Sequence, residues 1–192
     1  QSSGETFEAF IGESLRSGDS IITQSASYAE LEQKNLSSIF VKPDTIFTIR
    51  EIETDSGRET VLSTTIGAVS FKFGKFFGKE PMIASPGMVA GVRGTEFTVY
   101  AGEDGSTLVS VDSGLVTVES QGVSVDLAQD EGVEVPAGKA PGDKFSLLGR
   151  TLDFSTWNSE KYNSLMDNPI SGLDGLGRQM DDFLYQISDF EN

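Results

Sequence analysis

Apolar and polar residues alternate with a period of two over most of the first 140 positions. The first such segment, residues 6–22, is divided by a Gly-Asp turn at 18–19, which predicts a strand, a turn and a second strand. Alternation continues at 27–33 and 38–42, on either side of turn residues. Alternating runs bounded by turns are typical of half-buried strands, so this part of the chain is predicted to be all β.

A second pattern is an internal repeat of about fifty residues. The matching segments are residues 45–50 (TIFTIR) with 95–100 (TEFTVY), and residues 66–71 (IGAVSF) with 113–118 (SGLVTV). Each copy predicts a strand, a turn, a strand, a glycine corner and a further strand. Asp104-Gly105 has the composition of a two-residue hairpin turn. Gly67 and Gly114 mark points where a strand bends sharply or a neighbouring backbone comes close.

Short strands also follow the repeat, at residues 123–127 and 132–138, whereas residues 74–86 are rich in Gly and Pro and indicate a long connection. Regularly spaced strands with glycine turns favour a mainly β fold. We therefore predict an antiparallel short-strand repeat that forms a twisted two-sheet sandwich or a β-solenoid-like domain over residues 1–149.

The period of the apolar residues changes near residue 150 and predicts a helical C-terminal extension over residues 150–192. Ser155 is a suitable N-cap for a helix over 156–168, and Pro169 ends it. A second helix is predicted from 172 or 173 to 190. Its apolar stripe consists of Leu173, Leu176, Met180, Phe183, Leu184, Ile187 and Phe190. The stripe either docks on the chain's own sheet or binds another protein or a second copy.

Composition narrows the possible functions. The 192 residues include no Cys and no His, which excludes thiol chemistry, Cys/His zinc sites and imidazole-based proton transfer. The net charge of −16 repels nucleic acids and anionic lipids. No apolar run is long enough to cross a bilayer. A first residue Gln1 is consistent with removal of a secretory signal, so we expect a secreted protein.

Candidate chemistry is sparse. The acidic clusters lack the ligand spacing of a calcium loop, and the Gly-Leu-rich run at 172–177 does not follow a strand, so we predict no metal, no cofactor and no catalysis. An alternative is binding or processing of envelope carbohydrate, for which Trp157, Tyr28 and Tyr162 are possible stacking rings among many carboxylates.

The run Val92-Arg93-Gly94-Thr95, followed by a strand that contains phenylalanine, resembles the most recognisable motif of the FecR domain family. Further similarities are Gly18-Asp19-Ser20-Ile21, the segments 27–31 and 113–118, and the stretch from Leu127 to Val133. The resemblance covers about residues 5–140. It implies an all-β periplasmic module that recognises proteins in signal transduction, with an envelope protein as partner and no catalytic activity.

Arg93 is the residue that the second repeat copy adds, because the first copy has Pro43-Asp44 in place of Arg93-Gly94. A guanidinium buried there would need carboxylate or carbonyl acceptors, since an unpaired buried charge is costly. We therefore interpret residues 92–95 as a structural latch that holds the Gly/Pro connection to the repeat. The alternative is that Arg93 contacts a ligand directly.

Overall fold

The computed structural model describes residues 6–33, 37–54, 57–74, 80–149, 152 and 155–159. Within them, eleven strands form one continuous hydrogen-bonded network. The strands are β1 (Ser20–Ile22), β2 (Ala29–Gln33), β3 (Ser37–Val41), β4 (Ile46–Thr54), β5 (Gly57–Lys72), β6 (Met82–Ser85), β7 (Met88–Ala101), β8 (Thr107–Ser120), β9 (Val123–Ala128), β10 (Glu131–Val135) and β11 (Phe145–Ser146). Residues 155–159 form a short helix, α1.

The strand pairings divide this network into two layers. The front layer has the order β2-β3-β5-β7-β8-β10-β11, and the rear layer has the order β1-β4-β5-β6-β7-β8-β9. Strands β5, β7 and β8 belong to both layers because each changes partners half-way along. In β5, for example, residues 57–66 pair with β4, whereas residues 69–72 pair with β3. The result is a two-sheet sandwich whose layers share three strands.

The core lies between the inner faces of the two layers, because alternate residues of each strand point inward. One cluster of buried residues includes Val69, Phe71 and Val99 of the front layer and Phe47 and Ile83 of the rear layer. The ring of Phe71 stacks on that of Phe97 with centroids 5.0 Å apart. Each such fully buried side chain contributes about 1.5–3 kcal/mol.

The glycine corners of the repeat are the points where β5 and β8 pass between layers. Gly67 has φ +94° and lies against Thr45, and Gly114 has φ +89° and lies against Thr95. Thr45 directly precedes β4, and Thr95 lies at the bend within β7. The residues before them, Asp44 (φ +54°) and Gly94 (φ +58°), also share a left-handed conformation. The two copies therefore use the same arrangement, as the sequence repeat predicts.

The prediction of a mainly β fold is confirmed, and of the two architectures considered the strand pairings give the sandwich. Two features differ from the expectation of short antiparallel strands. Strands β5, β7 and β8 contain 16, 14 and 14 residues because the chain continues through each bend as a strand. In addition, β6 pairs with β5 in parallel.

Three local predictions were wrong. Residues 6–17 contain no strand despite their alternation, and the supposed connection at 74–86 contains β6. The Asp104-Gly105 turn is part of a five-residue loop, which the backbone N–H of Gly102 closes by donating to the carbonyl of Ser106 at 2.8 Å. The Asp104 side chain bonds Ser106 through both carboxylate oxygens, so this loop is stabilised locally rather than as a tight hairpin.

The C-terminal extension is described only in part. Helix α1 begins at Ser155, one residue before the predicted start, and Trp157 within it is half-buried. The remainder of both predicted helices, including the apolar stripe from Leu173 to Phe190, lies outside the described residues. The boundary between a β domain at 1–149 and a helical extension at 150–192 therefore stays a prediction.

Substitution of Gly67 tests the crossing of β5 between layers. In Gly67→Ala the new Cβ would lie 2.6 Å from the Asp44 carbonyl oxygen and 2.6 Å from Thr45 Cα, in a left-handed conformation. We expect a loss of about 2–4 kcal/mol in the free energy of unfolding, measured by urea denaturation. Gly18→Ala is the control, because Gly18 has φ +96° with no atom within 4 Å and should lose only about 1–2 kcal/mol. Equal losses would contradict a packing role for the Gly67 corner.

Candidate functional site

The motif at residues 92–95 forms the bend of β7 between the layers. Val92 and Thr95 are buried, and the pairing of β7 with β8 shifts register between Arg93 and Glu96. The Arg93 backbone pairs with Leu115, while its side chain is outside the described part of the structure. Val92 is buried and the Gly94 backbone is left-handed, so both residues contribute to the bend of β7. The latch role of the Arg93 side chain stays a prediction.

Hydroxyl groups stabilise the equivalent corner in the first repeat copy. Thr45 Oγ1 accepts a hydrogen bond from the Ala68 backbone N–H at 2.9 Å and lies 3.0 Å from the Pro43 carbonyl, to which it can donate. The Thr45 N–H donates in turn to Thr23 Oγ1 at 3.0 Å. In the second copy, Thr95 Oγ1 is buried with no hydrogen-bond partner among the described residues. The two corners thus share a backbone path but differ in their polar contacts.

A groove of about 1200 Å³ opens between the layers at one end of the sandwich. Its apolar wall comes from both inner faces, with Leu31 and Ile39 from the front layer and Ile49 and Leu62 from the rear layer. Residues 9–15, which precede β1, also line it. At this end the side chains of the two layers do not fill the space between them: Leu31 and Ile49 are half-buried, whereas Ile39 and Leu62 are buried.

Acidic residues surround this apolar wall. The groove lining includes Glu13, Glu30, Glu32, Glu59 and Glu80. Among the described lining residues, Arg58 is the basic one, and its Nε donates to Glu53 Oε1 at 3.0 Å. The hydrogen bond and the charge of Glu53 raise the pKa of Arg58 above its ordinary value. Because Arg58 is already paired, the groove presents a negative rim.

Exposed aromatic residues lie beside the groove. Phe10, in its wall, is 74% exposed, and the neighbouring Phe7 is 70% exposed. Tyr28 lies at the rim, where its ring stacks on Phe40 with centroids 5.2 Å apart. Large apolar groups exposed together mark interaction surfaces more often than single ones do. The sequence signal for this surface was the alternation at residues 6–11, which we interpreted as a strand.

A separate polar cluster occupies the outer face of the front layer. Lys42 Nζ lies 5.2 Å from the centroid of the Tyr100 ring, and the Ser70 and Thr98 hydroxyls are 2.8 Å apart. Burial lowers the pKa of Lys42, although the charge of Asp112 opposes this shift. The pKa of Asp112 is raised, first by burial and then by Glu96, and Lys42 opposes the rise. These residues do not line the groove, and their arrangement is that of a partly buried ion cluster.

Metal ligands and stacking rings were both considered from the sequence, and the described residues place some of these side chains. They contain no group of three or more acidic, His or Cys side chains that could hold a metal ion. Of the rings proposed for carbohydrate stacking, Tyr28 lines the groove, Trp157 belongs to α1, and Tyr162 lies outside the described residues. Within the part of the chain that the structure covers, no helix is long and apolar enough to span a membrane.

The part of the chain that contains both glycine corners matches a known protein family. The sequence model of one family, described as FecR protein, matches residues 19–117, just over half of the 192-residue chain. This chain belongs to the FecR family. The matched segment runs from the turn before β1 into β8 and includes both repeat copies and the bend at 92–95. The resemblance inferred from Val92-Arg93-Gly94-Thr95 is therefore confirmed.

Solved structures share the fold. Two crystal structures of a protein from Parabacteroides distasonis ATCC 8503, which has been assigned as an anti-sigma factor, align with TM-scores of 0.56 and 0.55. Their sequence identities are 18% and 17%, and each alignment covers 67% of this chain and 59% of the other chain. This chain therefore spans about three fifths of the length of these structural relatives. No curated protein matches it in sequence.

The two corner threonines should respond differently to the same substitution. Thr45→Val leaves the buried Ala68 N–H without its acceptor, so we expect a loss of about 1–3 kcal/mol in the free energy of unfolding. Thr95→Val removes a buried hydroxyl that has no partner among the described residues and should be neutral or slightly stabilising. Chemical denaturation of both variants measures the difference. A larger loss for Thr95→Val would show that its hydroxyl has a partner at this corner.

The ion cluster on the front layer gives a test based on pKa. Lys42→Met removes the charge that lowers the pKa of Asp112, so this pKa should rise further. Glu96→Gln removes a charge that raises it, so the same pKa should fall. NMR titration of the Asp112 carboxyl carbon measures both shifts. Shifts in the same direction would contradict this arrangement of charges around Asp112.

Proposed function

We propose that this FecR-family chain is a non-enzymatic protein-binding module that acts in signalling at the cell envelope, and that the groove between the layers is its binding site. The observation that carries the proposal is an apolar wall open to solvent inside a rim of carboxylates. Family membership and the fold shared with a protein assigned as an anti-sigma factor support a regulatory role. The alignment covers 59% of that protein's length. A signalling role for the whole protein is therefore part of the proposal.

The groove favours an extended apolar segment of an envelope protein, with basic residues on either side of the apolar part. Apolar side chains would replace water along Leu31, Ile49 and Leu62, and cations would meet the glutamates of the rim. Strand β2 adds a second recognition element, since in the described residues only one of its edges is paired, with β3. A segment that adds to the free edge of β2 would gain backbone hydrogen bonds beside the groove.

Several observations support a non-catalytic role in the periplasm. The chain has no His or Cys. Lys42 and Asp112, whose pKa values are shifted by burial, lie outside the groove lining. The absence of cysteine is compatible with an oxidising compartment. The periplasmic location rests on the family and on the resemblance of residues 92–95 to its motif.

Photo-crosslinking in cells tests the groove as the binding site. Tyr28 at the rim is replaced by p-benzoylphenylalanine, and the exposed Val123 of β9 is replaced in the same way as a control. We expect irradiation to give a defined adduct with an envelope protein from position 28 and none from position 123. Equal adduct yields from the two positions, or no adduct from position 28, would contradict the proposal.

A matched pair of leucine substitutions then measures how much the apolar wall contributes. Leu31→Ala shortens a side chain of the groove, whereas Leu115→Ala shortens an exposed leucine of β8 outside it. In chains that also carry the crosslinker at position 28, Leu31→Ala should reduce adduct yield about tenfold, equivalent to about 1.4 kcal/mol of binding energy. Leu115→Ala should leave the yield unchanged. Thermal unfolding of both variants checks that the fold is retained.

A further inference from the structure

The outward face of the rear layer is buried, although it points away from the core. Leu62 of β5 and Ile83 of β6 belong to the core, so their neighbours in sequence point to the opposite face. Among these outward residues, Val61, Ser63 and Ala84 have no exposed surface at all. The outer face of a sandwich layer is normally solvated. This face is therefore covered by other atoms of the chain.

The neighbouring side chains on the same face supply only part of this cover, since Arg50 and Met82 are in register with Val61 but are themselves half-buried. Ser63 is in register with Ala84, and Ala84 is in register with Val89 across the β6–β7 pair. These side chains are too short to fold over one another. Val61 and Ala84 form a small apolar cluster of their own, with Ile52 and Met82 packed at its margin. The covered area thus extends over four adjacent strands, β4 to β7, which is about 14 Å of sheet width.

We infer that the C-terminal segment, residues 160–192, docks on this face of the rear layer. The segment follows α1, in which Trp157 and Asn158 are already half-buried. The second predicted helix, over residues 173–190, would be about 27 Å long, enough to cross four strands. Its apolar stripe, from Leu173 to Phe190, requires an apolar surface of this kind. The cluster of Val61 and Ala84 provides that surface.

The other segments outside the described residues are shorter, with five residues each in 1–5 and 75–79 and two or three in each of the rest, and the chain next to residues 1–5 is exposed at Phe7 and Phe10. Residues 34–36 and 55–56 join consecutive strands, and residues 75–79 connect Gly74 to Glu80. Five residues span at most about 17 Å when fully extended. The chain before residues 75–79 is fixed in the front layer by a hydrogen bond from the Phe73 N–H to the Thr95 carbonyl. The chain after residues 75–79 enters β6. Because residues 75–79 already join these two points, they are too short to lie across four strands as well.

Docking on the rear layer leaves the apolar stripe one of the two roles considered for it. If Leu173, Leu176, Met180, Phe183, Leu184 and Ile187 pack on the rear layer, they are not free to bind a partner, and partner binding is left to the groove. The inference does not depend on the proposed function, because it rests on the burial of residues that do not line the groove.

Thiol labelling of the full chain tests the cover, because the chain has no native cysteine. Ala84→Cys and Ala90→Cys place one thiol each in the same hairpin, the first on the outward face and the second in the core. Each is combined with Leu176→Glu and Phe183→Glu in the stripe. We expect maleimide to label both thiols slowly in the otherwise native chain. In the stripe variant, labelling of Ala84→Cys should accelerate at least tenfold and that of Ala90→Cys should not change.

The matched control carries Gln186→Glu and Ser188→Glu, which add the same charge beside the stripe, and should leave Ala84→Cys protected. If both thiols react quickly in the stripe variant, the comparison is made with Phe183→Ala, for which only Ala84→Cys should accelerate. Fast labelling of Ala84→Cys in the native chain would overturn the inference, as would unchanged protection in the stripe variants. Protection that falls on dilution would show a second copy as the cover and would also overturn it.

Discussion

The close approach of a threonine to a left-handed glycine is the constraint on which this fold depends. At Gly67 and Gly114 the strand must turn from one layer into the other while the backbone of the preceding strand lies almost in contact. A side chain at either glycine would meet that backbone, and an L residue would also be strained there. The bends set the angle between the layers, and the core between Phe47, Phe71 and Phe97 is shaped by that angle.

The sequence predicted these bends because they occur twice. A single glycine in a strand is ambiguous, but Gly67 and Gly114 stand at equivalent places in two matching segments, each after a Thr-x-Phe strand. The repeat also predicted that residues 43–44 and 93–94 occupy equivalent corners, and Asp44 and Gly94 share a positive φ. The family followed from the same region. Such bends can be predicted from the sequence because the backbone geometry of a bend depends on residues that are close together in the chain.

What the sequence did not predict depends on pairing between distant segments. Strand β6 has four residues between Pro81 and Pro86, so its composition resembles a loop, and it exists because β5 and β7 lie on either side of it. Residues 6–11 alternate like a strand but have no pairing partner among the described residues. The groove combines side chains from β2, β3, β4 and β5. No spacing along the chain predicts that Leu31 and Leu62 line the same groove, because this follows from the two-layer arrangement.

The sharing of β5, β7 and β8 between layers also has a consequence for how the molecule opens. In a sandwich of two independent sheets, one sheet can separate while the other keeps its hydrogen bonds. Here each shared strand has ladder bonds in both layers, so releasing it from one layer pulls on its pairing in the other. The two layers should then exchange their backbone amides as one cooperative unit, and only the outermost strands, such as β1 and β11, should open separately.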